Sequence, residues 1–139
     1  MLPGQMMNRQ LMISDIIRHA GQNHGKREIV TRLPETGQIH RYGWADCHDR
    51  SRQVADVMVR DFKMKPGDRI ATIAWNTHRH LELYYGVAGA GGVVHTVNPR
   101  LDPRQVIWIL NHAKAKAVFF DVTFARLVDA IAKECKSVK

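Results

Sequence analysis

Two short polar clusters contain the side chains of this sequence that could do chemistry. The first is Asn76-Thr77-His78-Arg79-His80, and the second is Asn98-Pro99-Arg100. Each cluster follows a run rich in Ile and Val, so each is predicted to begin where a buried strand ends. In an open parallel sheet, ligands bind beyond the carboxyl ends of the strands, because backbone and loop groups converge there. The alternative is local: Asn76 or Thr77 caps the following helix, and Asn98-Pro99 makes a turn.

The eight histidines raise the question of a metal site, because imidazole is a common metal ligand. His78 and His80 are only two residues apart, which on a helix directs them to different sides. The sequence therefore predicts no metal site. His95 lies in a run expected to form a buried strand, where we expect a hydrogen-bonded core histidine.

The glycines between Gly86 and Gly92 could be mistaken for a dinucleotide-binding loop. That loop needs a strand, then the glycine turn, then a helix, whereas these glycines close a helix before a strand. We therefore expect them to allow close helix–sheet packing and a sharp exit from the helix.

An α/β fold is predicted by the elements that must position these clusters. From residue 67 onward, strands alternate with helices, which indicates a parallel sheet covered by helices on both faces, with both clusters at one edge. Asp102, Pro103 and Gln105 form a strong helix start, with a capping residue, proline at the first position and a capping-box partner. The predicted strands are 69–75, 93–97 and 117–121, and the predicted helices are 77–90, 103–113 and 124–136.

The first part of the chain, 1–66, is predicted to form a helix, a β-hairpin and a second helix. The hydroxyl of Ser14 is expected to cap the first helix, which ends near residue 25, and the hairpin pairs 28–33 with 38–42. In the helix over 44–62, the pairs Asp46/Arg50 and Asp56/Arg60 are expected to form ion pairs. The apolar face of that helix consists of Cys47, Ser51, Val54, Met58 and Phe62.

Composition indicates an ordinary globular protein of 139 residues, and we expect a single domain over 1–139 without an internal boundary. The net charge of +8 is spread evenly, because residues 1–70 and 71–139 each carry +4, and this does not favour nucleic-acid binding. Neither a signal peptide nor a membrane span is expected, since the apolar runs are short and interrupted. Cys47 and Cys135 are far apart in predicted helices, which favours reduced thiols and a cytoplasmic location.

Several segments, in order along the chain, resemble the N-terminal region of medium- and long-chain fatty acyl-CoA synthetases, which belong to the AMP-forming, adenylate-forming superfamily. The resemblance is strongest over 67–101, and Arg41-Tyr42-Gly43-Trp44-Ala45-Asp46 is similar to the family's entry to a long helix. Gly43 stands where the family commonly has Thr, and Asp46 where Glu is common. The other matching segments are 74–84, Asn98-Pro99-Arg100-Leu101 and Phe119-Phe120-Asp121.

The resemblance implies part of the large N-terminal domain of a ligase that joins a fatty acid to CoA. Such enzymes use Mg²⁺ and ATP to form an acyl-adenylate, and CoA then displaces AMP; a homodimer is possible. In the family, ATP is held by a Ser/Thr/Gly-rich loop with a lysine and by later motifs, none of which occurs between Met1 and Lys139. We therefore assign no catalytic residue, and we expect the chain alone to be inactive and to bind none of these cofactors tightly.

One binding residue follows from the resemblance. In related CoA ligases the arginine of the Asn-Pro-Arg turn contacts the 3′-phosphate of CoA, and Arg100 occupies that position, where its guanidinium could bind phosphate oxygens. The same turn arginine could equally be solvated. Two other functions remain open: a stand-alone flavodoxin-like module that binds a phosphate or nucleotide, and a basic nucleic-acid-binding domain.

Overall fold

The structure is a computed structural model that describes residue 4 and residues 7–138. The predicted order of elements is confirmed. The helices and strands are α1 (Ile13–His24), β1 (Glu28–Arg32), β2 (Ile39–Gly43), α2 (Trp44–Arg60), β3 (Arg69–Ile73), α3 (His78–Gly89), β4 (Val93–Thr96), α4 (Pro103–His112), β5 (Ala117–Phe120) and α5 (Ala125–Ala132), with one turn of 3₁₀ helix (Val122–Phe124) before α5.

The main sheet has β3 at its centre, with β4 on one side and β5 on the other, and both pairs are parallel. The predicted parallel sheet is therefore confirmed. Strands β1 and β2 form a separate antiparallel hairpin, in which Glu28 pairs with Gly43 and Arg32 with Ile39.

Helices cover both faces of the main sheet, as predicted. Because successive side chains of a strand point to opposite faces, Ile70 joins the core beneath α2 and α3, whereas Ala71 and Ile73 join the core beneath α4 and α5. The first core includes Met58 and Val87, and the second includes Val106, Leu110 and Ile131.

Gly86 permits α3 to lie very close to α2. A Cβ atom at this position would stand 2.7 Å from the carbonyl oxygen of Ser51 and 2.6 Å from Cγ1 of Val54. Close packing was predicted between this helix and the sheet. At Gly86 the close contact is instead between two helices. Gly91 has a φ of +84°, a conformation that favours glycine, and it provides the predicted sharp exit from α3.

Two predictions about the first helices are wrong. Met12 occupies the N-cap position of α1 and makes no side-chain cap hydrogen bond. Ser14 therefore lies inside the first turn and does not cap the helix. Asp46 does not pair with Arg50; its carboxylate accepts a hydrogen bond from the backbone N–H of Gly43 at 3.1 Å. The reason is that the start of α2 leaves backbone N–H groups that a nearby carboxylate can satisfy.

Other local predictions are confirmed. Asp56 and Arg60 form an ion pair along α2. At the start of α4, Asp102 Oδ1 accepts a hydrogen bond from Arg104 N at 2.9 Å, and Gln105 Oε1 accepts one from Asp102 N at 3.2 Å. This reciprocal pair is the predicted capping box.

The cysteines are free, as predicted, and both are buried. Cys47 lies in α2, but Cys135 lies beyond α5, which ends at Ala132 and not near residue 136 as predicted. Tight turns follow the helix, with Glu134 N bonded to Ile131 O at 3.0 Å and Cys135 N to Ala132 O at 3.2 Å. They direct the Cys135 thiol into the core beneath α4 and α5. Within the described ranges, no helix combines the length and apolar character needed to cross a bilayer.

Candidate functional site at the carboxyl edge of the sheet

Both polar clusters leave the sheet at the same edge, as predicted. Thr72 of β3 pairs with Thr96 of β4, and Val97 N donates a hydrogen bond to Thr72 O at 2.8 Å. The chain therefore enters 76–80 and 98–100 from neighbouring parallel strands. This is the edge at which open parallel sheets bind ligands.

Asp121, at the end of β5, holds the segment between β3 and α3 in place. Its Oδ2 accepts a hydrogen bond from Trp75 N at 2.7 Å, and its Oδ1 lies 3.5 Å from Nη2 of Arg79. Arg79 also pairs with Glu35 in the hairpin turn, and this contact lowers the pKa of that carboxyl group. Arg79 is thus occupied by two carboxylates. This role of Asp121 was not predicted from the sequence. The pattern that could have indicated it is an acidic residue at the end of a strand, next to the polar clusters.

A cavity of about 460 Å³ opens between the hairpin and the start of α3. Val30 and Thr31 of β1 form one wall, and Thr77 and His78 form another. Thr96, at the end of β4, lines the cavity on the side of the main sheet. The hairpin's contribution could not be read from the sequence, because its distance along the chain from α3 does not reveal that the two pack together.

His80 connects α3 to the sheet. Its Nε2 lies 3.0 Å from Oγ1 of Thr72, which is buried in the centre of β3. Burial lowers the pKa of His80, so its imidazole is held in the neutral form more strongly than an exposed one. The contact shows that His80 positions the start of α3.

His78 faces the hairpin, where it stacks on His40 with ring centroids 4.0 Å apart and planes inclined by 26°. The ring of Tyr42 meets His78 edge-on at 5.8 Å. Burial, followed by the charge of His40, lowers the pKa of His78, and burial raises the pKa of Tyr42. Within the described residues, His78 Nδ1, His40 Nε2 and the Tyr42 hydroxyl are buried without a hydrogen-bond partner.

Arg100 lies on the Asn98 turn, as predicted. The Oδ1 atom of Asn98 accepts a hydrogen bond from Arg100 N at 3.0 Å, and Leu101 N donates to Asn98 O at 3.3 Å. The Arg100 side chain is exposed, and no carboxylate of residues 7–138 forms an ion pair with it. The structure brings this turn to the same edge as the first cluster, but Arg100 does not line the cavity.

Histidines elsewhere do not assemble a metal site. In the part of the chain that the structure describes, no three His, Cys, Asp or Glu side chains are grouped so that they could hold a metal ion. His95 is partly buried in β4, but its buried Nδ1 has no partner among these residues, so the hydrogen bond predicted for it is absent at that atom.

Comparison with known proteins gives a consistent result. The family profile described as AMP-binding enzyme matches residues 17–139. The 3-methylmercaptopropionyl-CoA ligase of Ruegeria pomeroyi is 46% identical over 98% of this chain and 25% of its own length. The medium-chain-fatty-acid–CoA ligase of Ectopseudomonas oleovorans is 43% identical over 98% of this chain and 24% of its own. The chain thus spans about a quarter of the length of these curated relatives.

A solved structure is also similar to this chain. The inhibitor-bound N-terminal domain of FACL13 from Mycobacterium tuberculosis superposes with a TM-score of 0.80 and 26% identity, covering 92% of this chain and 32% of that one. The predicted resemblance and the predicted α/β fold are therefore confirmed. By sequence and by fold, this chain belongs to the family of AMP-binding enzymes.

Proposed function

We propose that this chain is part of an AMP-forming ligase that joins a fatty acid to CoA. The observation that carries the proposal is the similarity to acyl-CoA ligases along almost the whole chain. One of those relatives is named for a methylmercaptopropionyl group rather than a plain fatty acid, so the fatty-acyl substrate is the finer part of the proposal. The same similarity does not favour a flavodoxin-like module or a nucleic-acid-binding domain.

In the proposed reaction, the fatty acid carboxylate attacks the α-phosphate of ATP, and the thiol of CoA then displaces AMP from the acyl-adenylate. Both steps need groups that stabilise charge on phosphate oxygens. The 139 residues contain no Ser/Thr/Gly-rich loop with a lysine, so we assign neither step to them. Their proposed contribution is the sheet, its carboxyl edge and a contact to CoA.

Arg100 is the proposed contact to CoA, through the 3′-phosphate. Three features support it: the guanidinium is exposed, it has no carboxylate partner among residues 7–138, and the Asn98 turn holds its backbone at the carboxyl edge. A guanidinium without a competing carboxylate can bind phosphate oxygens through two parallel hydrogen bonds.

We also propose that 1–139 is one domain without an internal boundary and that the protein is cytoplasmic. The close contact of Gly86 in α3 with Ser51 in α2 supports the first point, because it joins the two parts of the sequence. The free thiols of Cys47 and Cys135 support the second. Homodimer formation also stays a proposal, to be tested by light scattering.

The ligase proposal is tested by reading the coding sequence that follows Lys139 and assaying the encoded protein with a fatty acid, ATP and CoA. A Ser/Thr/Gly-rich loop with a lysine, together with fatty-acid-dependent release of AMP, is the expected result. A stop codon directly after Lys139, or an encoded protein that releases AMP with no fatty acid tested, would contradict it.

The Arg100 proposal is tested by titrating the chain with CoA and with dephospho-CoA, which lacks the 3′-phosphate. We expect weak binding that prefers CoA, and we expect Arg100→Ala to remove the preference. Arg52→Ala, which removes an exposed arginine from α2, is the matched control and should retain it. Equal affinities of the unaltered chain for the two ligands would show that Arg100 does not make this contact.

A further inference from the structure

The start of α3 has backbone N–H groups without partners. Thr77 stands at the N-cap but makes no side-chain cap hydrogen bond, and the first backbone bond at this end runs from Leu81 N to Thr77 O at 3.0 Å. Within residues 7–138, the amides of His78, Arg79 and His80 have no acceptor. A helix start carries a partial positive charge of about +0.5 from such amides, so it favours an anion.

A second observation points to a ligand at the same place. Thr77 is 5% exposed and His78 is 8% exposed, yet Thr77 Oγ1 and His78 Nδ1 are buried atoms without a hydrogen-bond partner in the described part of the chain. An unpartnered buried polar group destabilises a fold unless a ligand or water provides its hydrogen bond. Both residues line the cavity beneath the hairpin, so these two unpartnered groups lie within its wall.

The composition of the cavity indicates which chemistry the ligand has. None of the ten described residues that line it is acidic, and the unpaired backbone amides at the start of α3 are hydrogen-bond donors. Ile29, Val30 and Leu81 supply apolar surface, together with the ring of Tyr84. The volume of about 460 Å³ is in the usual range for small-molecule sites, about 300–1,000 Å³.

We propose that this cavity binds a small organic anion, with its carboxylate or phosphate group at the start of α3 and its apolar part beneath the hairpin. The amides of the first turn and the Thr77 hydroxyl donate hydrogen bonds to the oxyanion, and Ile29, Val30 and Leu81 contact the apolar part. The site is separate from Arg100, which does not line the cavity, and it does not depend on the proposed ligase activity.

The test is a titration of the ¹⁵N-labelled chain, followed by amide NMR spectra. Butyl phosphate and butyrate are the probes, and inorganic phosphate and 1-butanol are the references that lack the apolar part and the charge. We expect at least one probe to give saturable shifts that are largest at His78, Arg79 and His80, and to bind more tightly than either reference. Which probe binds better distinguishes a phosphate ligand from a carboxylate ligand.

Two substitutions at one position separate the hydrogen bond from the shape of the side chain. Thr77→Val removes the hydroxyl and should weaken the better probe about 3- to 10-fold, the effect of losing one hydrogen bond. Thr77→Ser retains the hydroxyl and should bind within about twofold of the unaltered chain. Thr36→Val, in the exposed hairpin turn, is the matched control and should change nothing.

Three results would overturn the proposal: no saturable shift with either probe, shifts as large with 1-butanol, or unchanged affinity in Thr77→Val. If Thr77→Val does not fold, which its own spectrum reveals, the comparison of the probes with 1-butanol on the unaltered chain still decides whether an oxyanion is recognised.

Discussion

Glu82 and Arg50 join α3 to α2 through an ion pair whose carboxylate is buried and whose arginine is half exposed. Arg50 Nε donates a hydrogen bond to Glu82 Oε1 at 2.7 Å, and the carboxylate side chain is only 4% exposed, against 51% for the arginine. The carboxylate raises the pKa of Arg50, which is therefore charged throughout the accessible pH range. Glu82 lies one turn after His78 in α3, so the pair anchors to α2 the helix whose start forms a wall of the proposed anion site.

Arg50→Ala should destabilise the fold because it leaves the Glu82 carboxylate buried and unpaired. Breaking a buried pair in this way costs about 3–5 kcal/mol, and water that reaches the half-exposed end reduces this to about 2–4 kcal/mol. Urea unfolding followed by circular dichroism measures the change. Arg60→Ala is the matched control, because it breaks the exposed pair with Asp56 in the same helix and should cost less than about 1 kcal/mol. Equal effects of the two substitutions would show that Glu82 does not depend on Arg50.

Gly86→Ala should separate α2 from α3, since the new methyl group would meet the Ser51 carbonyl oxygen at 2.7 Å. Overpacking of this kind costs about 1–3 kcal/mol, and the backbone atom involved cannot move aside alone. Gly89→Ala is the control in the same helix, because the nearest atom to its Cβ is Ser14 Cβ at 3.8 Å. That substitution should leave stability unchanged or raise it by up to about 1 kcal/mol through helix propensity. Thermal unfolding of both variants gives the comparison, and a stable Gly86→Ala variant would refute the close packing.

The stability of the chain should fall as the pH drops below about 6.5, because His78 and His80 have lowered pKa values in the fold. As the pH falls, these imidazoles take up protons in the unfolded chain before they do so in the folded chain. Proton uptake therefore stabilises the unfolded state, and the free energy of unfolding decreases. Glu35 and Asp68 also have lowered pKa values, but from 4.5 and 3.8, so their loss comes at lower pH. The free energy of unfolding measured between about pH 7 and pH 5 therefore reports mainly on histidines.

His78→Leu identifies the share of that pH dependence that comes from the hairpin contact. With one buried imidazole removed, the loss of stability between about pH 7 and pH 5 should become smaller, and the share that belongs to His80 should remain. An identical slope in the unaltered chain and in His78→Leu would count against the role of burial.

Asp102→Ala should cost about 1 kcal/mol, the usual contribution of an N-cap side chain. The substitution leaves Arg104 N without its acceptor, which the carboxylate now provides at 2.9 Å. Asp129→Ala, at an exposed position of α5, removes the same charge and should change stability by less than about 0.5 kcal/mol. If the two variants unfold at the same denaturant midpoint, the capping box contributes nothing to the stability of the fold.

The sequence was sufficient for the α/β fold, the order of its elements and the family, because these depend on patterns local to the chain. Alternating strands and helices predict a parallel sheet, and parallel neighbours place the carboxyl ends of β3 and β4 at one edge. Asp102, Pro103 and Gln105 marked the start of α4 for the same reason: a cap acts over only three or four residues. Matching segments in the right order indicated the acyl-CoA synthetases.

Only the tertiary structure decided which side chains meet across long separations in the chain. Spacing along a helix suggested Asp46 as the partner of Arg50, but packing of α2 against α3 offered Glu82, 32 residues away, and the buried carboxylate is the partner that most needs a counter-charge. The stacking of His40 on His78 and the cavity beneath the hairpin arise in the same way. A sequence specifies its local periodicities, whereas contacts between distant elements depend on how their surfaces fit once water has been excluded.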